Sequence, residues 1–274
     1  MIDLENVRAI DFHTHAEEPR GCHSDDGYDD LQATMAEYFR APWKHPPTVP
    51  ETAQHYRDQN IAAVIFPVDA ERETGYRRYA NEEVAELAAE NDDVLIPFAS
   101  IDPHKGKMGQ REARRLIKDF GIKGFKFHPT MQGFYPNDPL AYGLYEAIAE
   151  EGGIALFHTG QTGVGSGMRG GNGMRLKYSN PMYMDDVAVD FPEMKIILAH
   201  PSFPWQEEAL AVAQHKPNVY IDLSGWSPKY FPDILIKYCN SILRKKVLFG
   251  SDWPMITPER WLSDFEKIAI KDEL

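Results

Sequence analysis

Cysteine is scarce: Cys22 and Cys239 are the only two among 274 residues. They stand far apart and lack metal or redox spacing. A disulfide scaffold is therefore excluded, and two free thiols in a reducing compartment are expected. Basic residues are also in deficit, with 29 Lys and Arg against 42 Asp and Glu and a formal net charge of −13. Such a surface repels phosphate backbones, so nucleic acid is not an expected partner, although a local cationic pocket can still attract an anion. No apolar run approaches the length of a bilayer-spanning helix; Ile61–Val68 is among the longest. Met1–Ile10 lacks a basic segment leading into an apolar one, so no signal peptide and a cytoplasmic location are expected. The final Lys271-Asp272-Glu273-Leu274 matches a retrieval address that has no meaning without entry to the secretory pathway. It is read as chance or as the cut end of a longer chain. No Gly-x-Gly-x-x-Gly follows the first apolar run, and the Gly-rich stretch Gly160–Gly173 lacks the Lys-Ser/Thr ending of a phosphate loop.

What is present is regular. Short apolar runs recur at Val7–Phe12, Ala62–Val68, Val94–Ile101, Ile122–His128, Ile154–His158, Met194–His200, Val219–Leu223 and Val247–Asp252. Near-continuous apolar runs with little alternation suit parallel strands covered on both faces. Helical spacing fills most gaps, over Asn81–Asn91, Gly109–Phe120, Leu140–Glu151, Pro204–His215, Pro232–Leu243 and Pro258–Ala269. Eight such strand units in one chain of this length predict an α/β fold, a (β/α)₈ TIM barrel, over residues 1–274 as a single domain. A doubly wound open sheet is the competing architecture. Long connections follow strands one and five, Ala16–Asn60 and Thr159–Asn180, the first with little regular pattern until Glu51. In a barrel both lie on the face where the chemistry sits.

The polar residues fall at the ends of these runs. His13 and His15 close the first, Lys126 and His128 the fourth, His158 the fifth, His200 the sixth and Asp252 the eighth. Residues two apart on a strand share a face, and the C-terminal ends of barrel strands converge on one mouth. Neutral imidazoles with a carboxylate are the donors a borderline divalent ion such as Zn²⁺ takes. Three histidines and one aspartate with an open position make a catalytic shell.

Four segments carry a resemblance: Asp11-Phe12-His13-Thr14-His15, Leu156-Phe157-His158-Thr159, Leu198-Ala199-His200-Pro201 and Phe249-Gly250-Ser251-Asp252-Trp253-Pro254. In this order the sequence resembles the amidohydrolase superfamily, in the branch that includes aminocarboxymuconate semialdehyde decarboxylase. The resemblance implies one divalent metal ion held by His13, His15, His158 and Asp252. It also implies that His200 polarises the substrate or moves a proton, and that Asp252 helps orient an activated water. Zinc is the expected ion and manganese the alternative. Many superfamily members carry a carbamylated lysine bridging two ions, and Lys126 sits in that neighbourhood; an unmodified Lys126 contacting an anionic substrate is favoured over it, with a buried salt bridge to Asp11 or Asp252 as the bland reading. Members commonly carry a further C-terminal helix, whereas this sequence stops 22 residues after Asp252.

His128, Arg169 and Trp205 complete the expected substrate contacts, with Arg175, Trp226 and Trp253 as further candidates. Arg169 and Arg175 are suited to a carboxylate, and the tryptophans to a flat ring. The expected activity is carbon–carbon cleavage, by decarboxylation or hydrolysis, on a small carboxylated, aromatic-derived molecule. Hydrolysis of a lactone or amide is the close rival. A non-catalytic metal- or metabolite-binding barrel and a metal-free Lys126 Schiff-base enzyme are readings of other classes. The branch also implies a possible homodimer, and neither nucleic acid nor membrane is an expected partner.

Overall fold

The computed structural model describes residues 1–18, 20, 28–41 and 45–271. Cys22, His23, Asp25, Asp26, part of the Pro42–Pro50 stretch and the last three residues of the Lys271–Leu274 match lie outside the described residues. Eight strands run β1 Ala9–His15, β2 Ile61–Phe66, β3 Leu95–Ala99, β4 Gly124–Phe127, β5 Ile154–His158, β6 Lys195–Ala199, β7 Val219–Asp222 and β8 Val247–Leu248. They pair in parallel and in sequence order. The circle closes where Phe12 N–H donates to Phe249 O (2.9 Å), Asp252 N–H to His13 O (3.0 Å) and His15 N–H to Trp253 O (2.7 Å). Sequential order with closure is the (β/α)₈ barrel; a doubly wound sheet would reverse its strand order part-way.

The continuous apolar runs follow from burial on both sides. Along β2, Val64 and Phe66 join Phe98, Leu156, Ile197 and Ala199 inside the barrel. The alternate residues Ile61, Ala63 and Ile65 pack outward with Val49, Ala53 and Tyr56 of the helix Val49–Asp58 and with Val84, Leu87 and Ala88 of the helix Asn81–Ala89. The outer ring continues with Lys107–Phe120, Pro139–Glu150, Tyr183–Asp190, Gln206–His215, Asp233–Cys239 and Pro258–Phe265. Starts are set chemically: Thr48 and Glu51 form a reciprocal capping box, and Asp138 and Thr257 cap helices with proline in the first turn.

Two helices correct the sequence reading. Tyr28–Phe39 lies in the connection expected to be irregular, and Tyr183–Asp190 crosses from β5 to β6. Among its described side chains the first buries Leu31 and Met35, one turn apart, against Met255, with Phe39 packed beside them. So narrow a stripe is a weak periodic signal. Among the described residues no helix is long and apolar enough to cross a membrane.

Candidate metal centre

Strand parity explains how the polar ends converge. The interior positions of β4, β5 and β7 include Lys126, His158 and Asp222, each in phase with interior apolar residues such as Leu156 and Tyr220. On β1 the interior residues Ile10 and Phe12 would put His13 and His15 outside, but the register with β2 shifts between Asp11 and Thr14. An irregularity of that kind exchanges the faces of a strand. His200 and Asp252 enter the site through left-handed backbone, φ +76° and +75°, with Ser202 at +65°. Non-glycine residues held in that region persist where the surroundings dictate them, and they cluster at functional sites.

The result is a nest of imidazoles and carboxylates. Asp252 Oδ1 lies 3.2 Å from His15 Nε2 and 3.3 Å from His13 Nε2. Donor atoms of His13, His15 and Asp252 all lie within 4.8 Å of one another, as do those of His13, His200 and Asp222. His158 enters by way of His200, whose Nε2 is 2.9 Å from His158 Nδ1. His158 also stacks on His128, with centroids 3.9 Å apart and planes at 9°. His158 Nε2 is buried with no hydrogen-bond partner. A buried polar atom without a partner calls for an explanation, and a cation is the one its chemistry fits.

Burial sets the electrostatics. It pushes His13, His128 and His158 well below the ordinary imidazole range, helped by Lys126 for the first two and led among charges by His128 for the third. His200 is lowered by burial against the opposing pull of Asp252 and Asp222. Neutral imidazoles are the form that ligates. Burial would raise the Asp252 carboxyl, but the His15 hydrogen bond and the charges of His13, His200 and His15 outweigh it and hold it well below the usual carboxylate range. Burial brings Lys126 down to about 8.

A cavity of about 370 Å³ opens above this nest. His15, His128, His158, His200 and Asp252 form its floor, and Phe66, Tyr76, Tyr79, Trp226 and Tyr230 stand in its walls. The helix Tyr28–Phe39 covers one side with Leu31, Met35 and Phe39. Arg40, Arg77, Lys229 and Arg260 line it as well, against the acids Glu17 and Asp252.

The expected substrate contacts divide. His128 lines the cavity; Lys126, Arg169 and Trp205 do not. Lys126 is fully buried, with Nζ 3.0 Å from His13 Nε2 and over the Phe66 ring. Arg169 and Arg175 are exposed. Their connection turns on itself through left-handed Gly170, Gly171, Asn172 and Gly173, and only Gln161–Val164 at its base reach the cavity. Trp226 lines the cavity, whereas Trp253 stacks on His55 and donates from Nε1 to Thr52 Oγ1.

Sequence reasoning passed over Asp222 and Ser224. Asp222 Oδ2 is 2.9 Å from His13 Nδ1, and Ser224 Oγ is 3.0 Å from His200 Nδ1. The available signal was an aspartate ending the seventh apolar run, as histidines end the first and fifth. Asp11 plays another part: its carboxylate accepts from His13 N, Ser251 N and Tyr56 OH, tying the start of the barrel to its end.

Residues 10–274 match the profile of the family described as Amidohydrolase. The chain belongs to that family. Protein fluG of Emericella nidulans is 30% identical over 103 residues, which is 35% of this chain but only 11% of that protein. Among solved structures, an uncharacterized TIM-barrel protein, Bb4693, from Bordetella bronchiseptica superposes with a TM-score of 0.77 at 22% identity, covering 97% of this chain and 92% of that one. The 5-carboxyvanillate decarboxylase LigW2 from Novosphingobium aromaticivorans, solved with bound manganese and 3-methoxy-4-hydroxy-5-nitrobenzoic acid, gives 0.63 at 15% identity, covering 96% and 92%. Identities this low establish a shared fold. Metal dependence of the amidohydrolase family accords with the His/Asp nest in this member.

Proposed function

We propose that this amidohydrolase uses one divalent ion to cleave a carbon–carbon bond, by decarboxylation or hydrolysis, in a small carboxylated, aromatic-derived substrate. The carrying observation is the composition of the cavity. In a chain of net charge −13, its lining presents four cationic side chains, Arg40, Arg77, Lys229 and Arg260, over a His/Asp floor and between aromatic walls. That combination suits a flat anion. His13, His15, His158 and Asp252 would hold the ion, zinc by preference of the donor set and manganese as the alternative. Bound there, a divalent ion supplies Lewis-acid polarisation of a substrate oxygen or lowers the pKa of a bound water.

The chain's own residues do the rest. His128 stands in the floor as a polar contact, while Tyr76, Tyr79 and Trp226 give the lining aromatic surface for a ring to pack against. Decarboxylation replaces a carboxylate by a proton, so an acid must stand beside the reacting carbon. His200, on the floor and hydrogen-bonded at both ring nitrogens, is assigned that proton, with Asp252 beside it. A Schiff base at Lys126 finds no support, since its amine lies behind His13 and outside the cavity lining.

The test has two parts. Metal analysis of the purified protein should give about one ion per chain, lost in His158→Ala; two ions would indicate a carbamylated Lys126. The metal-loaded protein should then release carbon dioxide or a ring-cleavage product from hydroxylated aromatic carboxylates or muconate derivatives. Turnover of lactones or amides alone would replace this reading with ordinary hydrolysis, and stoichiometric metal without any turnover would favour a binding protein.

A further inference from the structure

β7 supplies none of the four residues assigned to the ion, yet its last residue and the turn after it make two close contacts beneath them. Both oxygens of the fully buried Asp222 are engaged: Oδ1 accepts from Ser224 N at 2.9 Å and Oδ2 meets His13 Nδ1 at 2.9 Å. A carboxylate only accepts, so His13 donates from Nδ1 and its Nε2 carries the lone pair, which meets Lys126 Nζ at 3.0 Å beside His15 and Asp252. Two residues further on, Ser224 Oγ meets His200 Nδ1, and His200 Nε2 meets His158 Nδ1. When His200 donates to Ser224, its Nε2 accepts from His158 Nδ1. The partnerless His158 Nε2 then carries a lone pair; the reverse order would leave a buried N–H without an acceptor. Two glycines make room for the arrangement. A Cβ on Gly225 would stand 2.4 Å from His200 Nδ1, and one on Gly250 would stand 2.9 Å from Asp222 Oδ1.

We propose that the end of β7 and the turn that follows it set the tautomers of this site: Asp222 and Ser224 are positioning residues that turn the Nε2 lone pairs of His13 and His158 toward the ion without ligating it. This rests on the assignment of His13 and His158 as ligands. Partners of this kind orient metal-binding imidazoles and raise their basicity, and their loss typically weakens metal binding 10- to 100-fold.

The experiment uses the full chain with Zn²⁺ as the probe. Chelator competition should show Asp222→Ala binding Zn²⁺ about 10- to 100-fold more weakly than wild type at unchanged stoichiometry. Long-range ¹H–¹⁵N correlation spectra of histidine-labelled, zinc-loaded wild type should show His13 and His158 protonated at Nδ1, and Ser224→Ala should move the signals of His200 and His158 while leaving those of His13. Equal Zn²⁺ affinity in a folded Asp222→Ala protein, or His13 protonated at Nε2, would overturn the proposal. So would loss of the ion in Asp222→Asn, which would make Asp222 a ligand. If Asp222→Ala does not fold, the wild-type spectra and Asp222→Asn decide. A wild type that takes up no stoichiometric Zn²⁺ overturns the functional reading as well; tight wild-type binding with unchanged variants overturns only the role of β7.

Discussion

Two of the clusters of buried polar groups in this barrel are built on opposite principles. One joins β2, β3 and β4. There Asn81 donates to Ser100 O and accepts from Ser100 N, and Ser100 Oγ donates to Lys126 O and accepts from Asp69 N. Gln132 accepts from His128 N and donates to Asp69 O. Asp69 Oδ2 pairs with Lys105 Nζ at 2.7 Å. Among the amide and hydroxyl groups of this cluster, donors and acceptors meet in matched pairs. The other cluster joins β1, β5, β6, β7 and β8. It crowds imidazoles and carboxylates at 2.9–3.3 Å, leaves His158 Nε2 without a partner, and holds His200 and Asp252 in left-handed backbone. A satisfied buried network rigidifies the fold, whereas surplus donors and strained backbone are kept where a ligand completes them.

Substitutions can break this contrast. The largest effect is expected at the strained cluster: Asp252→Ala should abolish stoichiometric metal binding, read by elemental analysis, because it removes the carboxylate against which both His13 and His15 converge. Thermal unfolding should show that the metal-free variant still folds. Next comes the matched cluster. Asn81→Ala orphans the buried N–H and C=O of Ser100 at a cost of roughly 1–3 kcal/mol each, while metal content stays unchanged. Chemical denaturation alongside metal analysis checks both. If Asn81→Ala lost the ion, or if Asp252→Ala cost as much stability as Asn81→Ala, the division between the clusters would fail.

The smallest effect sharpens the picture with a group outside both. Cys239 is buried among apolar side chains, which pushes its thiol up to about 11. The raised value means the neutral thiol persists through ordinary pH, with about one thiolate in a thousand at pH 8. In a Cys22→Ser background, a disulfide reagent should leave Cys239 unmodified until denaturant is added; rapid reaction of the native protein would contradict its packing.

The eight strands were legible because burial on two faces writes itself as continuous apolar sequence, as in Ile61–Phe66. The histidines and Asp252 were legible because they interrupt those runs at their ends. Tyr28–Phe39 was not, since the contacts its described side chains make with the cavity, Leu31, Met35, Tyr38 and Phe39, form a weak periodic pattern. Nor was the fate of the arginines. Which side chains reach a cavity depends on the path of the chain, so Arg169 lies outside the cavity lining while Arg40, Arg77 and Arg260, equally exposed, belong to it.

Sequence alone determined the barrel and the kinds of donor at its mouth, because hydrophobic burial and strand parity are local properties of the chain. Tertiary structure decided which atoms face inward. The register shift in β1 comes from pairing with β2, the left-handed turns at His200 and Asp252 are held by distant neighbours, and the imidazole orientations follow from Asp222 and Ser224. A hydrogen bond between His13 and Asp222 joins residues 209 positions apart, a distance over which no local pattern carries information.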